Sequence, residues 1–333
     1  MKFKPMKQRP KIVFFGTPEF AAPSLKALCQ KEFDVLLAIT QADKPVGRNQ
    51  EITPAEVKVE AQNLGLKVID DLALAKLKIK ELKPEAAVVV AYGKILPQEF
   101  LDLFPKGILN VHPSLLPKYR GPSPIQAAIL NGDESTGVSI IKLDEQMDHG
   151  AVISNLKFSI SNNDTYRSLS EKLAQAGAEL LVKILPDYLA GKIKPISQND
   201  SQATFTKILK REDGEIDWHK SAAAIERAVR AYFPWPGCYG DVRSKNKELR
   251  IKLIEVEIVS DCLVDGLSSN CSADALASAN AEANPPAQQV GILYKQNGRL
   301  YVRCGQDWLN IIRLQLSGKK EMTAQEFING YLK

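Results

Sequence analysis

No stretch of the sequence is apolar for long enough to cross a bilayer. The longest clean run, Ala86–Tyr92, falls far short of the roughly 20 residues that a spanning helix needs. The opening eleven residues are basic and lack the apolar segment of a secretory signal, so the chain reads as cytoplasmic, with no membrane partner. Cysteine is sparse and scattered: Cys29, Cys238, Cys262, Cys271 and Cys304 are odd in number and form no CxxC pair. With only three histidines beside them, a zinc site and a disulfide framework are both excluded as organising features, and no metal is expected. The GxGxxG spacing of a dinucleotide site is missing as well, because Pro18 follows Gly16-Thr17 where the phosphate-binding turn would lie. No serine or cysteine stands in a nucleophile elbow, which favours direct group transfer over a covalent intermediate.

The first half alternates short strand-like runs with helical patterns. Ile12–Phe15, Val35–Ile39, Val68–Ile69, Ala86–Ala91 and Ile108–Val111 are rich in Val and Ile and read as buried strands. Phe20–Gln30, Ala55–Leu64, Leu72–Leu82 and Gln98–Phe104 have helical spacing. That alternation predicts an α/β fold with a doubly wound, mostly parallel sheet, whose ligands gather at the carboxyl ends of the strands. Gly137–Leu143 and Val152–Ile160 read as two further strands around the polar connection Asp144–Gly150. A helix is expected from Asp164 to Leu189, with Pro186 kinking or interrupting it. The texture then changes, and residues 192–206 read as a linker. Beyond them one amphipathic helix, Ser221–Tyr232, precedes short strands at Leu249–Val259, Gly291–Tyr294, Leu300–Arg303 and Leu309–Leu316, the texture of a small β-barrel. The Ser-, Ala- and Asn-rich segment Cys262–Gln289 reads as an insertion.

Net charge is +5 and unevenly placed. Five positive charges fall in residues 1–11, and residues 207–333 carry 18 Lys and Arg against 16 Asp and Glu. A mildly basic second half is compatible with a polyanionic partner without requiring one.

Chemistry concentrates after the strand at Ile108–Val111. Asn110 and His112 are two apart, so on an extended strand they project from one face, at its carboxyl end. Asp144, Asp148 and His149 follow in a glycine-bounded loop. An Asn amide can donate to a developing oxyanion, a neutral His can accept a proton, and a carboxylate can orient that His. Such a set suits acyl transfer to an amine.

The stretch Asn110–Gly121 and the later Met147-Asp148-His149-Gly150 resemble the formyltransferase family that uses 10-formyltetrahydrofolate. Supporting stretches, in order along the chain, are Phe15–Phe20, Thr40–Arg48, Val89–Gly93, Gly137–Ile140, Gly214–Trp218 and Pro234–Gly237. The resemblance runs nearly the whole length and points to the branch that formylates the amino group of initiator methionyl-tRNA for translation initiation. It implies a formyltransferase fold over residues 11–191, the linker 192–206, and an OB-like tRNA-binding barrel over 207–333. It implies Asn110, His112 and Asp148 as the catalytic set. It assigns Tyr92, Gly93, Ile95, Leu96, Ser114, Leu115, Leu116 and Pro117 to the folate site, and Lys44 and Arg48 to tRNA. A monomer without metal is expected. The chain departs from the family at Met147, where Leu is usual, and after Arg48, where Asn49-Gln50-Glu51 replaces a more basic run. Other acceptors, such as an amino-sugar nucleotide, and a non-catalytic RNA-binding relative are the alternatives.

Overall fold

The computed structural model describes residues 9–31, 33–46, 50–244, 247–260 and 290–332. The chain packs as two compact units. The first comprises Met1–Ala128, Glu134–Ser161 and Ser168–Ile208, and the second Ile129–Asp133, Asn162–Arg167 and Leu209–Lys333.

In the first unit the strands are β1 (Lys11–Gly16), β2 (Asp34–Ile39), β3 (Lys44–Val46), β4 (Glu51–Thr53), β5 (Val68–Ile69), β6 (Ala86–Val90), β7 (Ile108–His112), β8 (Ser135–Lys142) and β9 (Val152–Ser159). Seven of them form one sheet in the order β5-β2-β1-β6-β7-β8-β9. Pairing is parallel as far as β7, whereas β8 and β9 run antiparallel at the edge. Both faces of the central strands are buried. Val13, Phe15, Leu37 and Ile39 pack in one cluster with Ile79, Phe100 and Phe104, while Ile12, Phe14 and Ala38 are buried between them in sequence. Continuous apolar strands with no solvent face are what helices on both sides of a parallel sheet require.

The helices are α1 (Ala22–Gln30), α2 (Glu56–Asn63), α3 (Leu72–Leu82), α4 (Gln98–Leu101), α5 (Pro124–Leu130) and α6 (Tyr166–Leu189). Pro186 lies inside α6 and does not interrupt it, contrary to expectation. It falls in the last turn, where Leu181, Ile184, Leu185 and Tyr188 are buried, and that burial outweighs one missing backbone hydrogen bond. Gly177 brings α6 close to the sheet: a Cβ there would lie 2.8 Å from Val111 Cγ1. The helix therefore backs β7 on the Val111 side, leaving Asn110 and His112 to project from the other.

The dozen residues after Thr40 are not a plain loop. β3 and β4 pair antiparallel as a small ribbon, whose tip, including Arg48, lies outside the described residues.

The second unit contains α7 (Ala222–Tyr232), β10 (Cys238–Ser244), β11 (Lys247–Val259), β12 (Leu293–Gln296), β13 (Arg299–Arg303), β14 (Trp308–Leu316), β15 (Glu321–Thr323) and α8 (Ala324–Tyr331). Antiparallel strands run β10-β11-β14-β13-β12, with β15 on β14. The backbone N–H of Arg243 in β10 donates to Gly291, just ahead of β12, at 2.9 Å, so the sheet curls into an OB-like barrel. Val242, Ile251, Leu300, Leu309 and Phe327 fill it. The segments 129–133 and 162–167 join this unit because Arg227 and Arg230 of α7 donate to the carbonyls of Leu130 (3.0 Å) and Asp164 (2.8 Å). Among the described residues no helix is long and apolar enough to cross a membrane. The insertion at Cys262–Gln289 and the basic N-terminal tail lie outside the described residues.

Candidate active site

Strand β7 positions two of the expected residues through its pleat. Ile108, Asn110 and His112 share a face, and all three are buried. Antiparallel pairing sets His112 opposite Ser139 of β8. The Ser139 hydroxyl donates to the Ser114 carbonyl at 2.7 Å and accepts the Leu116 N–H at 3.0 Å, which ties down the loop leaving β7.

Asp148 comes to this face from the β8–β9 loop, 38 residues along the chain from Asn110. Its Oδ1 accepts from the Asn110 amide at 3.3 Å and faces His112 Nδ1 at 3.5 Å. Its Oδ2 accepts the Gly121 N–H at 2.8 Å. Nε2 of His112 donates to the Tyr119 carbonyl at 2.9 Å, which leaves Nδ1 as the nitrogen beside the carboxylate. Taking such a carboxylate out of water without partners would cost on the order of several kcal/mol. Here the Asn110 amide and the Gly121 N–H offset that cost.

A second histidine–carboxylate contact lies in the same loop. His149 Nδ1 donates to Asp144 at 2.6 Å, and its Nε2 is 3.5 Å from Asp200. The hydrogen bond to Asp144 raises the His149 pKa, with the charges of Asp144 and Asp200 adding to it against a smaller opposing effect of burial. Asp200 is held below the usual carboxylate range, first by its hydrogen bond from Arg120.

The residues expected at the folate site divide. Tyr92 is buried with its ring edge-on to Phe15, and its carbonyl accepts from Thr17 (3.1 Å) and Gln41 (2.7 Å). Gly93 adopts φ +78°, a left-handed conformation that favours glycine, and a Cβ there would have to displace the Gln41 amide. Ile95 is exposed and Leu96 buried. Ser114 is fully buried, and its hydroxyl donates to Lys118 O at 2.6 Å, so it serves the loop itself. Leu115 packs beside Gly137, Leu116 is buried, and Pro117 accepts the Thr204 N–H at 3.3 Å. Lys44 is exposed and donates to Gln41 at 2.5 Å.

A cleft of about 640 Å³ opens nearby, walled by Leu101, Phe104, Ile108 and Leu143 with Lys142 and Asp144 among its polar residues. None of the eight expected folate residues lines it. Ile108 does, and it shares the β7 face with Asn110 and His112.

Sequence reasoning missed Gln198. It sits in the stretch read as a linker, residues of which pack beside the site: Arg120 is hydrogen-bonded to Thr204 and to Thr206, and the Ser123 N–H to the Thr206 hydroxyl. No local pattern marks this, because each bond spans about 80 residues of chain.

Comparison with known proteins identifies the family. Residues 10–185 match the formyl transferase family, and residues 208–332 match the formyl transferase C-terminal domain. A methionyl-tRNA formyltransferase of Thermodesulfovibrio yellowstonii is 40% identical over 325 residues, 96% of this chain and 95% of the relative. One from Caldanaerobacter subterraneus is 37% identical over 326 residues, 96% and 97% of the two chains. The fold is shared with an N-formyltransferase from Helicobacter canadensis solved with folinic acid and dTDP-3-aminofucose, at TM-score 0.64 and 20% identity over 91% of this chain and 99% of that one. HypX from Aquifex aeolicus in complex with tetrahydrofolic acid shares it at TM-score 0.61 and 16% identity, over 98% of this chain and 48% of that one. With both domains matched in order and relatives of this identity along its length, the chain belongs to the formyl transferase family, among the methionyl-tRNA formyltransferases.

Proposed function

We propose that the chain transfers the formyl group of 10-formyltetrahydrofolate to the amino group of initiator methionyl-tRNA, giving N-formylmethionyl-tRNA. The observation that carries this reading is the meeting of Asn110, His112 and Asp148 on one buried strand face. The deprotonated amine adds to the formyl carbon, forming the new C–N bond and placing negative charge on the formyl oxygen. The Asn110 amide, with one hydrogen on Asp148, has a second to donate to that oxygen. As the bond to the folate nitrogen breaks, the amine loses one proton and the folate nitrogen gains one. His112 Nδ1, beside the Asp148 carboxylate, can hold that proton between the two events.

The cleft beside Ile108 suits the folate ring system. Its volume lies in the usual range for small-molecule sites, and it offers a flat heterocycle apolar contacts at Leu101, Phe104, Ile108 and Leu143 beside polar groups at Gln98, Asp102, Lys142, Asp144, Glu145 and Gln146. Leu143→Ala should raise the KM for 10-formyltetrahydrofolate a few-fold and leave that for tRNA alone. The second unit, an OB-like barrel, suits a polyanion, and Lys44 and Arg48 supply positive charge on the ribbon after β2. The test is formation of N-formylmethionine on charged initiator tRNA, with an amino-sugar nucleotide as a competing acceptor. Formylation of the sugar alone would sink the reading.

A further inference from the structure

Asp148 is held in place by a side chain outside the β7 strand and the loop that carries it. Its backbone has φ +50°, a left-handed conformation uncommon outside glycine, which aspartate reaches more readily than most residues. The Gln198 amide donates to the carbonyl of Asp148 and to that of Gly150, each at 2.8 Å, so one NH₂ group bridges two carbonyls of the loop two residues apart. The amide is itself oriented. Its Oε1 accepts from Arg120 Nε at 3.0 Å, which sets which end of the amide faces the loop. Arg120 is buried, and its Nη2 donates to Asp200 at 2.7 Å. The neighbouring residue, Gly121, donates its N–H to Asp148 Oδ2. Asp148 is thus gripped at its carboxylate from the 120–121 turn and at its carbonyl from residue 198, and Arg120 links the two grips.

We infer that Gln198 is a positioning residue for the formyl transfer: its two N–H donors fix the peptide at Asp148, and so the aim of that carboxylate at Asn110 and His112. This rests on the reading of Asp148 as part of the reacting set. Without those donors, the Asp148 peptide can leave its left-handed conformation and carry the carboxylate away from contacts that are already long, 3.3 and 3.5 Å. Misplacement by about 1 Å can cost on the order of 10²-fold in rate. Binding of the two substrates does not depend on that aim, so the loss belongs in kcat.

The test uses the full chain with Gln198→Met, which keeps the side-chain length, and Gln198→Glu, which keeps an oxygen for Arg120 but removes both N–H donors. Asp148→Asn is measured beside them. The expected result is a fall in kcat of about tenfold to 10²-fold for both Gln198 variants, with both KM values within about twofold of the parent. Circular dichroism and thermal unfolding should show folded protein. Parent-like kcat in Gln198→Met overturns the inference, as does recovery in Gln198→Glu, which would trace the effect to the Arg120 contact alone. A loss confined to KM, or one matched by unfolding, overturns it too. If Asp148→Asn keeps the parent kcat, the catalytic reading of Asp148 is what has failed, and this inference goes with it. If Asp148→Asn is inactive while Gln198→Met is unaffected, only the positioning role falls.

Discussion

Two histidines in the first unit each face an aspartate, and the shorter contact is the more exposed of the two. His149 and Asp144 meet at 2.6 Å, but their side chains are 29% and 41% exposed. His112 and Asp148 are 3.5 Å apart at 5% and 15% exposure. Water screens the first pair, and exposed pairs of this kind contribute about 0–1 kcal/mol. The second pair is shielded, and its carboxylate is shared with an amide that can stabilise an oxyanion. Environment and company, rather than distance, distinguish the proposed reacting pair from the surface contact.

The sharpest way to break this contrast is substitution in both pairs. Asn110→Ala, His112→Ala and Asp148→Asn should each lower kcat by on the order of 10²-fold or more, while His149→Ala costs far less. Equal losses in steady-state turnover for His112→Ala and His149→Ala would end the comparison. Charges outside the buried set should act on encounter instead of chemistry. Lys44→Ala and Arg48→Ala should therefore reduce kcat/KM for charged tRNA about tenfold without changing folate affinity, and that effect should shrink as salt rises. A salt-independent loss in kcat would place these residues with the chemistry. The smallest effect concerns stability. Because the folded-state pKa of His149 is raised above 6.5, its contact with Asp144 stabilises the fold fully below that pH. That contribution is lost as pH rises through the raised value. Tm measured from pH 5.5 to 9 should show the parent's advantage over His149→Asn shrinking with pH, and an advantage that grows would reverse the sign.

Much of this could be read along the chain, and the gaps have physical causes. Strands buried on both faces, such as Val35–Ile39 and Ala86–Val90, announce themselves because every residue must be apolar. Strand β10 escaped because Cys238, Gly240 and Val242 alternate with polar or exposed residues, a half-buried pattern too weakly apolar to stand out. α6 passed through Pro186 because burial of its flanking residues is a tertiary effect, invisible to local propensity.

The same division runs through the site. Period-two alternation alone put Asn110 and His112 on one face, since a strand leaves no other choice. Residue chemistry left Asp144, Asp148 and His149 as equal candidates for their partner, and only resemblance singled out Asp148. The tertiary structure separates them. A left-handed backbone at Asp148, the Gly121 N–H on its carboxylate, and the Gln198 amide on its carbonyl turn that one carboxylate inward. Asp144, four residues earlier, stays at the surface with His149. Those constraints come from residues 27 and 50 positions away, and contacts at that range are set by how the sheet and its loops pack, which no local pattern encodes.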